Sequence, residues 1–79
     1  ETIMPITVYT KPNCGQCDAT KRRLDKRGLE YTAIDITEDA AAYEHILGLG
    51  YLQAPVVVVD DETHWSGFRI DAIDTLAAA

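Results

Sequence analysis

At residues 6–17 an alternating segment gives way to the only two cysteines of the chain, in the sequence Ile6-Thr7-Val8-Tyr9-Thr10-Lys11-Pro12-Asn13-Cys14-Gly15-Gln16-Cys17. The alternation over Ile6–Thr10 predicts a strand, and Pro12, which has no N–H to donate, ends its pairing. A helix is predicted over residues 14–27, with Gly28 after its basic last turn as the stop. Two intervening residues place the sulfurs about one turn apart on the same side of that helix. The pair can therefore close a disulfide or stand open as a dithiol.

The position of the cysteines indicates their chemistry. Cys14 faces the free N–H groups and the positive end of the helix dipole, and both favour thiolate over thiol. A Cys-x-x-Cys pair between a strand and a helix is typical of thiol–disulfide exchange. We expect Cys14 to attack a substrate disulfide and Cys17, one turn inside the helix, to resolve the mixed disulfide. The alternative is that both are small buried apolar residues.

The composition indicates one small domain. The chain has 79 residues, of which 47% are hydrophobic and 25% charged, which is ordinary for a soluble globular protein. We expect a single domain over residues 4–79, with Met4 as the natural start and residues 1–3 as a remnant of cloning. No signal peptide or membrane span is visible, and the chain lacks a dense disulfide framework, so we expect a cytoplasmic protein. A disulfide with so short a loop adds little stability, which favours a chemical role for the cysteines.

The charge is distributed unevenly. A net charge of −6 argues against nucleic-acid binding, which needs a clustered basic surface. Six of the seven Lys and Arg residues nevertheless lie within residues 11–27, namely Lys11, Lys21, Arg22, Arg23, Lys26 and Arg27. This run is either a solvated helix face or a region that assists thiolate formation and steers an acidic partner.

The rest of the chain completes a βαβαββα order. A second strand is predicted over residues 31–36, parallel to the first because a long crossover joins them. A run of four valines at residues 56–59 predicts a strand covered on both faces at the sheet centre, and a short polar turn leads into a strand over 63–66. Helices on both sides of the resulting four-stranded mixed sheet would bury its two faces, which predicts an α/β fold with three helices.

Two helices after the first are predicted from their caps and apolar positions. Thr37 is the expected N-cap of the second helix, whose apolar stripe we assign to Ala40, Tyr43 and Leu47. Asp71 is the expected N-cap of the last helix. Its inward-facing residues are predicted to be Ile73, Leu76 and Ala77.

The element order, the Cys-x-x-Cys pair opening the first helix, and Ala54-Pro55 ahead of the third strand together resemble the thioredoxin fold. Residues 8–17 are similar to the start of a glutaredoxin. Two further stretches are similar to the NrdH-type redoxins, glutaredoxin-like proteins with thioredoxin-like activity: Gly50-Tyr51-Leu52-Gln53-Ala54-Pro55-Val56-Val57-Val58 and His64-Trp65-Ser66-Gly67-Phe68-Arg69. The resemblance covers essentially the whole chain from Met4.

This resemblance implies a thiol–disulfide oxidoreductase that reduces protein disulfides without a bound cofactor or metal. Electrons would pass from NADPH through thioredoxin reductase to the reversible Cys14–Cys17 disulfide. The recipient would be the large subunit of a class Ib ribonucleotide reductase. A carrier that must visit two partners is expected to be a monomer.

Two other functions stay open. A glutathione-dependent glutaredoxin is one, although the glutaredoxins that resemble this chain carry a Gly-Gly followed by an aspartate, which holds the glutathione carboxylate, in the region where Ser66-Gly67-Phe68-Arg69 stands here. A metal or iron–sulfur carrier is the other. A tetrahedral zinc site needs four ligands, whereas this chain offers one cysteine pair and the distant His45 and His64, so such a site would have to bridge two chains.

Further residues are candidates for substrate binding. The resemblance implies a cis peptide bond at Pro55, which would leave the backbone of Ala54 free to pair with an extended substrate segment. Lys11 is either a stabiliser of the Cys14 thiolate or a surface lysine on a turn. Gln16 is either a hydrogen-bonding partner of a ligand or a solvent-facing spacer.

The aromatic residues near the C-terminus have two possible roles. Trp65 and Phe68 are either exposed anchors for a partner or core residues. We expect Trp65 to be partly structural, and the turn formed by Ser66, Gly67, Phe68 and Arg69, called here the 66–69 turn, to lie near the redox face.

Overall fold

The computed structural model describes residues 6–78, so the expected cloning remnant at residues 1–3 lies outside the described residues. The predicted order βαβαββα is confirmed. The elements are β1 (Ile6–Thr10), α1 (Gly15–Lys26), β2 (Tyr31–Asp35), α2 (Ala40–Gly48), β3 (Val56–Val58), β4 (His64–Ser66) and α3 (Ile70–Ala78). Most boundaries agree with the predicted ones to within one or two residues.

The four strands form one mixed sheet in the order β2-β1-β3-β4. β1 is parallel to β2, as the long crossover predicted, while β3 runs antiparallel to both β1 and β4. In this register Tyr9 lies opposite Val56, which in turn lies opposite Ser66. The C-terminal ends of β1 and β4 and the N-terminal end of β3 therefore meet at one edge of the sheet.

Each face of the sheet carries its own hydrophobic core. On one face Val8 and Val57 pack with Leu24 of α1 and Ile73 of α3, and on the other Tyr9 and Val56 pack with α2. Neighbouring valines of β3 thus belong to opposite cores, because successive strand residues point to opposite faces. The predicted central strand covered on both sides is confirmed.

The second helix differs from its prediction at both its cap and its buried face. Asp39, and not Thr37, is the N-cap, and its Oδ1 accepts a hydrogen bond from the Ala42 N–H at 3.0 Å. Thr37 instead donates its N–H and its hydroxyl to the carboxylate of Asp35, at 2.8 Å and 2.6 Å. A turn closed by Asp35 thus precedes the helix and delays its start by two residues.

The predicted apolar stripe of α2 is wrong. Tyr43 and Leu47 are 40% and 38% exposed and Ala40 is exposed, whereas Ala42 and Ile46 are buried. This helix carries apolar residues on more than one face. Ile46 has no polar atom to satisfy, while the Tyr43 hydroxyl needs water or a partner, so the face with Ile46 is buried.

The start of α3 also differs by two residues. The helix begins at Ile70, so Asp71 lies in its first turn and is not the N-cap. Its carboxylate accepts hydrogen bonds from the Arg69 side chain, at 3.2 Å from Nε and 2.9 Å from Nη2. The predicted inward positions are confirmed, with Ile73 fully buried and Leu76 and Ala77 half-buried.

Removing the Asp39 cap tests this assignment. We expect Asp39→Ala to lower the free energy of unfolding by about 1 kcal/mol, the usual contribution of an N-cap side chain. Urea denaturation followed by circular dichroism measures it. Glu38→Ala is the matched control, because the neighbouring carboxylate accepts no hydrogen bond among residues 6–78, and it should cost at most a few tenths of a kcal/mol. Equal losses in the two variants would contradict the cap.

Two ion pairs to Asp74 tie α1 to α3. The Arg23 guanidinium donates two hydrogen bonds to Asp74, at 3.1 Å from Nε to Oδ1 and 2.7 Å from Nη2 to Oδ2, and Arg27 Nε lies 3.5 Å from Oδ1. The hydrogen bond from Arg23, assisted by the charges of Arg23 and Arg27, lowers the pKa of Asp74 from its usual 3.8. Two members of the basic run, Arg23 and Arg27, are therefore engaged in a structural contact.

The lowered pKa gives stability a pH dependence of known sign. The contribution of Asp74 is fully present above pH 3.8, its usual value, and is lost as the pH falls through the lower folded value. We expect Asp74→Asn to be less stable than the parent chain at neutral pH and the difference to shrink as the pH falls below 3.8. Urea midpoints measured across that range test this. Asp61→Asn is the control, because this exposed carboxylate lies outside every ion pair of the described residues. The difference in urea midpoint between this variant and the parent chain should not shrink over the same pH range.

Candidate redox site

The cysteines lie at the sheet edge where β1, β3 and β4 bring their loops together. Thr10 ends β1 and leads into the loop that carries Cys14, while Pro55 directly precedes β3. The Gly67 N–H donates to the Pro55 carbonyl at 2.9 Å and extends the pairing beyond β4. Three separate parts of the chain therefore converge on the N-terminus of α1.

Cys14 and Cys17 form a disulfide, with their Cα atoms 5.2 Å apart. Cys14 is the N-cap of α1, and its sulfur accepts a hydrogen bond from the Cys17 N–H at 3.2 Å. The sulfur thus occupies the place where a serine or aspartate oxygen would cap a helix. A thiolate formed there would be stabilised by this N–H group and by the helix dipole.

The two sulfurs differ in access. Cys14 is 9% exposed, whereas Cys17 is fully buried. An approaching disulfide therefore reaches Cys14 first, and Cys17 lies behind it in the helix. The asymmetry expected from the sequence is present.

Asn13 is a site residue that the sequence reasoning missed. It adopts φ 57°, a left-handed conformation that Asn tolerates better than most residues. This reversal turns the chain from the end of β1 into the N-cap position of Cys14. The signal was an asparagine between Pro12 and the first cysteine, a composition typical of tight turns.

The 66–69 turn lies against the active-site helix, as expected. Gly67 has φ 85°, and a Cβ built on it would lie 3.9 Å from Oε1 of Gln16. Ser66 is exposed beside it and Phe68 is half-buried. These residues form one rim of the site after β4, and β3 separates that strand from β1, which Lys11 follows.

A groove of about 320 Å³ forms the other rim. Its walls include Lys11, Ala54, Tyr43 and Leu52, and the Leu52 side chain is 77% exposed. The Ala54–Pro55 peptide bond is cis, as the resemblance implied. Sequence reasoning missed Leu52, although a large apolar residue in a loop before a proline was a visible signal.

Trp65 belongs mainly to the core. It is 7% exposed and packs in the cluster of Leu24, Val57 and Ile73, with Phe68 against its edge. Its indole N–H is buried without a hydrogen-bond partner among residues 6–78. The expected structural role of Trp65 is present, and a contact of this residue with a partner stays a prediction.

The histidines take part in aromatic contacts. The His45 ring lies 5.9 Å from that of Tyr9, and His64 Nδ1 is 2.6 Å from the Tyr51 hydroxyl.

Within the described part of the chain, no group of three or more His, Cys, Asp or Glu side chains is placed to hold a metal ion. No described helix has the length and apolar character needed to cross a bilayer.

Comparisons with known proteins agree with this geometry. The family model described as Glutaredoxin matches residues 6–65. The glutaredoxin-like protein NrdH of Escherichia coli K12 is 42% identical over 76 residues, covering 96% of this chain and 93% of the relative. The glutaredoxin-like protein NrdH of Lactococcus lactis is 36% identical over 72 residues, covering 91% of this chain and 99% of that relative.

A solved structure gives the same result. The NrdH-redoxin of Escherichia coli, described there as glutaredoxin-like with a thioredoxin-like activity profile, matches with a TM-score of 0.87 at 42% identity. The match covers 92% of this chain and 95% of that chain. The similarity therefore extends over the sheet, the helices and the cysteine loop together.

Proposed function

Because the chain belongs to the glutaredoxin family and, within it, to the NrdH-type redoxins, we propose that it donates electrons to a class Ib ribonucleotide reductase and recovers them from thioredoxin reductase. The predicted thioredoxin fold is confirmed, and the chain is a thiol–disulfide oxidoreductase. The observation that carries the proposal is the redox pair itself. Cys14, which keeps 9% of its surface exposed, caps α1, and the fully buried Cys17 lies one turn behind it.

The first step is attack by Cys14. Its thiolate displaces one sulfur of the substrate disulfide, which leaves as a thiolate, and a mixed disulfide forms between Cys14 and the substrate. The Cys17 N–H, which donates to this sulfur at 3.2 Å in the oxidised form, stabilises the attacking anion. Of the two cysteines, only Cys14 keeps any solvent exposure.

The second step releases the substrate. The Cys17 thiolate attacks the Cys14 sulfur, the internal disulfide forms, and the substrate leaves as its second thiolate. Two electrons have then passed to the substrate, whose thiolates take up protons from water. Thioredoxin reductase, with electrons from NADPH, returns the Cys14–Cys17 disulfide to the dithiol. No bound cofactor takes part.

The rims of the site position the substrate. Ala54, whose backbone makes no hydrogen bond to another backbone group of the described residues, pairs with an extended substrate segment. Lys11 lies beside it on the same groove. The substrate also contacts the opposite rim, formed by Gln16, Ser66, Gly67 and Phe68 with Trp65 beneath.

Reduction by thioredoxin reductase is favoured over reduction by glutathione. Arg69 occupies the region where the similar glutaredoxins carry an aspartate, and its guanidinium is held by Asp71. The chain therefore lacks the Gly-Gly-Asp arrangement that holds glutathione in those proteins. With only two cysteines, the protein is suited to a reducing cytoplasm, where we propose that it works as a monomer.

A paired assay tests the reductant. Insulin disulfide reduction is driven either by NADPH with thioredoxin reductase or by glutathione with glutathione reductase and NADPH. We expect faster turnover with thioredoxin reductase. Faster turnover with glutathione would make the protein a glutathione-dependent glutaredoxin, and visible absorbance after anaerobic iron–sulfide loading would favour a cluster carrier.

A second assay tests the electron acceptor. A class Ib ribonucleotide reductase is supplied with NADPH, thioredoxin reductase and this protein as the only disulfide reductant. Formation of deoxyribonucleotide that depends on the protein is expected. Its absence in a system that responds to dithiothreitol would refute this partner and leave the oxidoreductase assignment intact.

A further inference from the structure

A second groove, of about 300 Å³, lies between α1 and the start of α3. Its walls are formed by Ala19, Arg22 and Lys26 from α1, and by Phe68 and Ile70 from the chain entering α3, with Arg23 between them. We call it the basic groove. It is distinct from the groove at Lys11 and Ala54.

Two of the three cations that line the basic groove, Arg22 and Lys26, are free to meet a ligand, because in the described part of the chain only Arg23 is paired. Arg22 and Lys26 are exposed and take part in no ion pair among residues 6–78. Three neighbouring cations of the same run are paired instead, Lys21 with Asp18 and both Arg23 and Arg27 with Asp74. The unpaired charge is therefore concentrated on one side of α1.

The opposite wall is apolar. Ile70 is 45% exposed, although it is a large aliphatic side chain, and Phe68 is half-buried next to it. Ala19 adds a small apolar surface. Cations beside an exposed apolar wall suit a ligand that has both carboxylates and an apolar side chain. A helix face that only contacts water does not need the exposed apolar wall.

The basic groove begins close to the redox centre. Ala19 follows Cys14 by five residues, about 7.5 Å along the helix axis. Phe68 follows Gly67, which lies against Gln16 in the first turn of α1. A bound segment can therefore occupy the groove while the disulfide next to it in the same partner reaches Cys14.

We propose that the basic groove docks an acidic segment of the protein substrate, with carboxylates on Arg22 and Lys26 and an apolar side chain on Phe68 and Ile70. This inference rests on the proposed function as a reductant of protein disulfides. Arg22 and Lys26 are one turn apart, about 6 Å along the helix axis. Alternate residues of an extended chain are separated by about 6.6 Å, so an Asp-x-Asp segment matches this spacing.

The test measures single-turnover reduction, which needs no reductase. The pre-reduced protein is mixed with either of two synthetic peptides that share one internal disulfide, flanked by Asp-Leu-Asp-Leu or by Asn-Leu-Asn-Leu. At low ionic strength we expect the acidic peptide to react about tenfold faster, since two exposed ion pairs contribute about that factor. The double variant Arg22→Gln, Lys26→Gln should react with both peptides at the rate of the neutral one, and Ile70→Asn should slow the acidic peptide severalfold.

A matched double variant separates the groove from general electrostatics. Lys21→Gln with Arg27→Gln removes the same charge from the same helix outside the groove, and it should keep the preference for the acidic peptide. Reduction of neutral 2-hydroxyethyl disulfide should be unchanged in all variants. Equal loss of preference in the two double variants, or no preference in the parent chain, would overturn the docking proposal. Normal reduction of the small disulfide would then show that the redox function stands without it.

Discussion

Replacing Cys14 by serine is expected to lower disulfide reductase activity by at least about 10³-fold, because the variant has lost the nucleophile of the first step. Cys14, at the N-terminus of α1, is the more accessible of the two cysteines, and the fully buried Cys17 cannot take over its role without opening the helix. Insulin reduction with dithiothreitol or thioredoxin reductase measures the loss. Comparable turnover after the loss of Cys14 would overturn the assignment.

Replacing Cys17 by serine should have a different result. Attack by Cys14 is intact, but the resolving thiol is gone, so a mixed disulfide between Cys14 and the substrate accumulates. Non-reducing electrophoresis and intact-mass analysis detect the adduct, and dithiothreitol releases it. A Cys14→Ser, Cys17→Ser chain is the control and should form no adduct. An adduct that formed only through Cys17 would reverse the two roles.

Replacing Leu24 by alanine is expected to lower the free energy of unfolding by about 2–5 kcal/mol, the range for a fully buried leucine. Leu24 is 0% exposed and joins α1 to Val8 and Val57 of the sheet and to Ile73 of α3. A domain of this size buries a small core, so a loss of this magnitude removes a large part of its total stability. Urea denaturation of the oxidised protein, followed by far-ultraviolet circular dichroism, measures the change.

The chain contains a matched control for this substitution. Leu52→Ala deletes the same atoms from a side chain that is 77% exposed, so its effect should stay within about 0.5 kcal/mol. If Leu52→Ala were as destabilising as Leu24→Ala, the packing described for α1 would be wrong. Should Leu24→Ala fail to fold, Leu24→Val leaves a smaller cavity. Its free energy of unfolding should lie between those of the parent chain and of Leu24→Ala.

The sequence was sufficient for features that depend on local pattern. The run of valines in β3 predicted a strand buried on both faces, and the two neighbours Val56 and Val57 do lie in opposite cores. Cys14 could be placed at the start of a helix because Pro12 and Asn13 interrupt the strand before it. These signals are carried by residues close together in the chain, so the rest of the fold is not needed to interpret them.

The features that were missed depend on competition or on distant residues. Thr37 and Asp39 are both good caps, and the choice followed from the hydrogen bonds that Thr37 makes with Asp35. Arg23 could not be separated from the rest of the basic run, because its partner Asp74 lies 51 residues away. The likeness to NrdH-type redoxins predicted the family and the cis bond at Pro55, whereas the groove at Leu52 arises only when separate loops meet.

The burial of Trp65 has a practical consequence. It is the only tryptophan of the chain, and it lies in the core cluster against which Phe68 of the 66–69 turn packs. Intrinsic emission excited at the indole band therefore reports on a single known position. Loosening of the packing around Trp65 would shift its fluorescence maximum to longer wavelength. No attached dye is needed to detect this change.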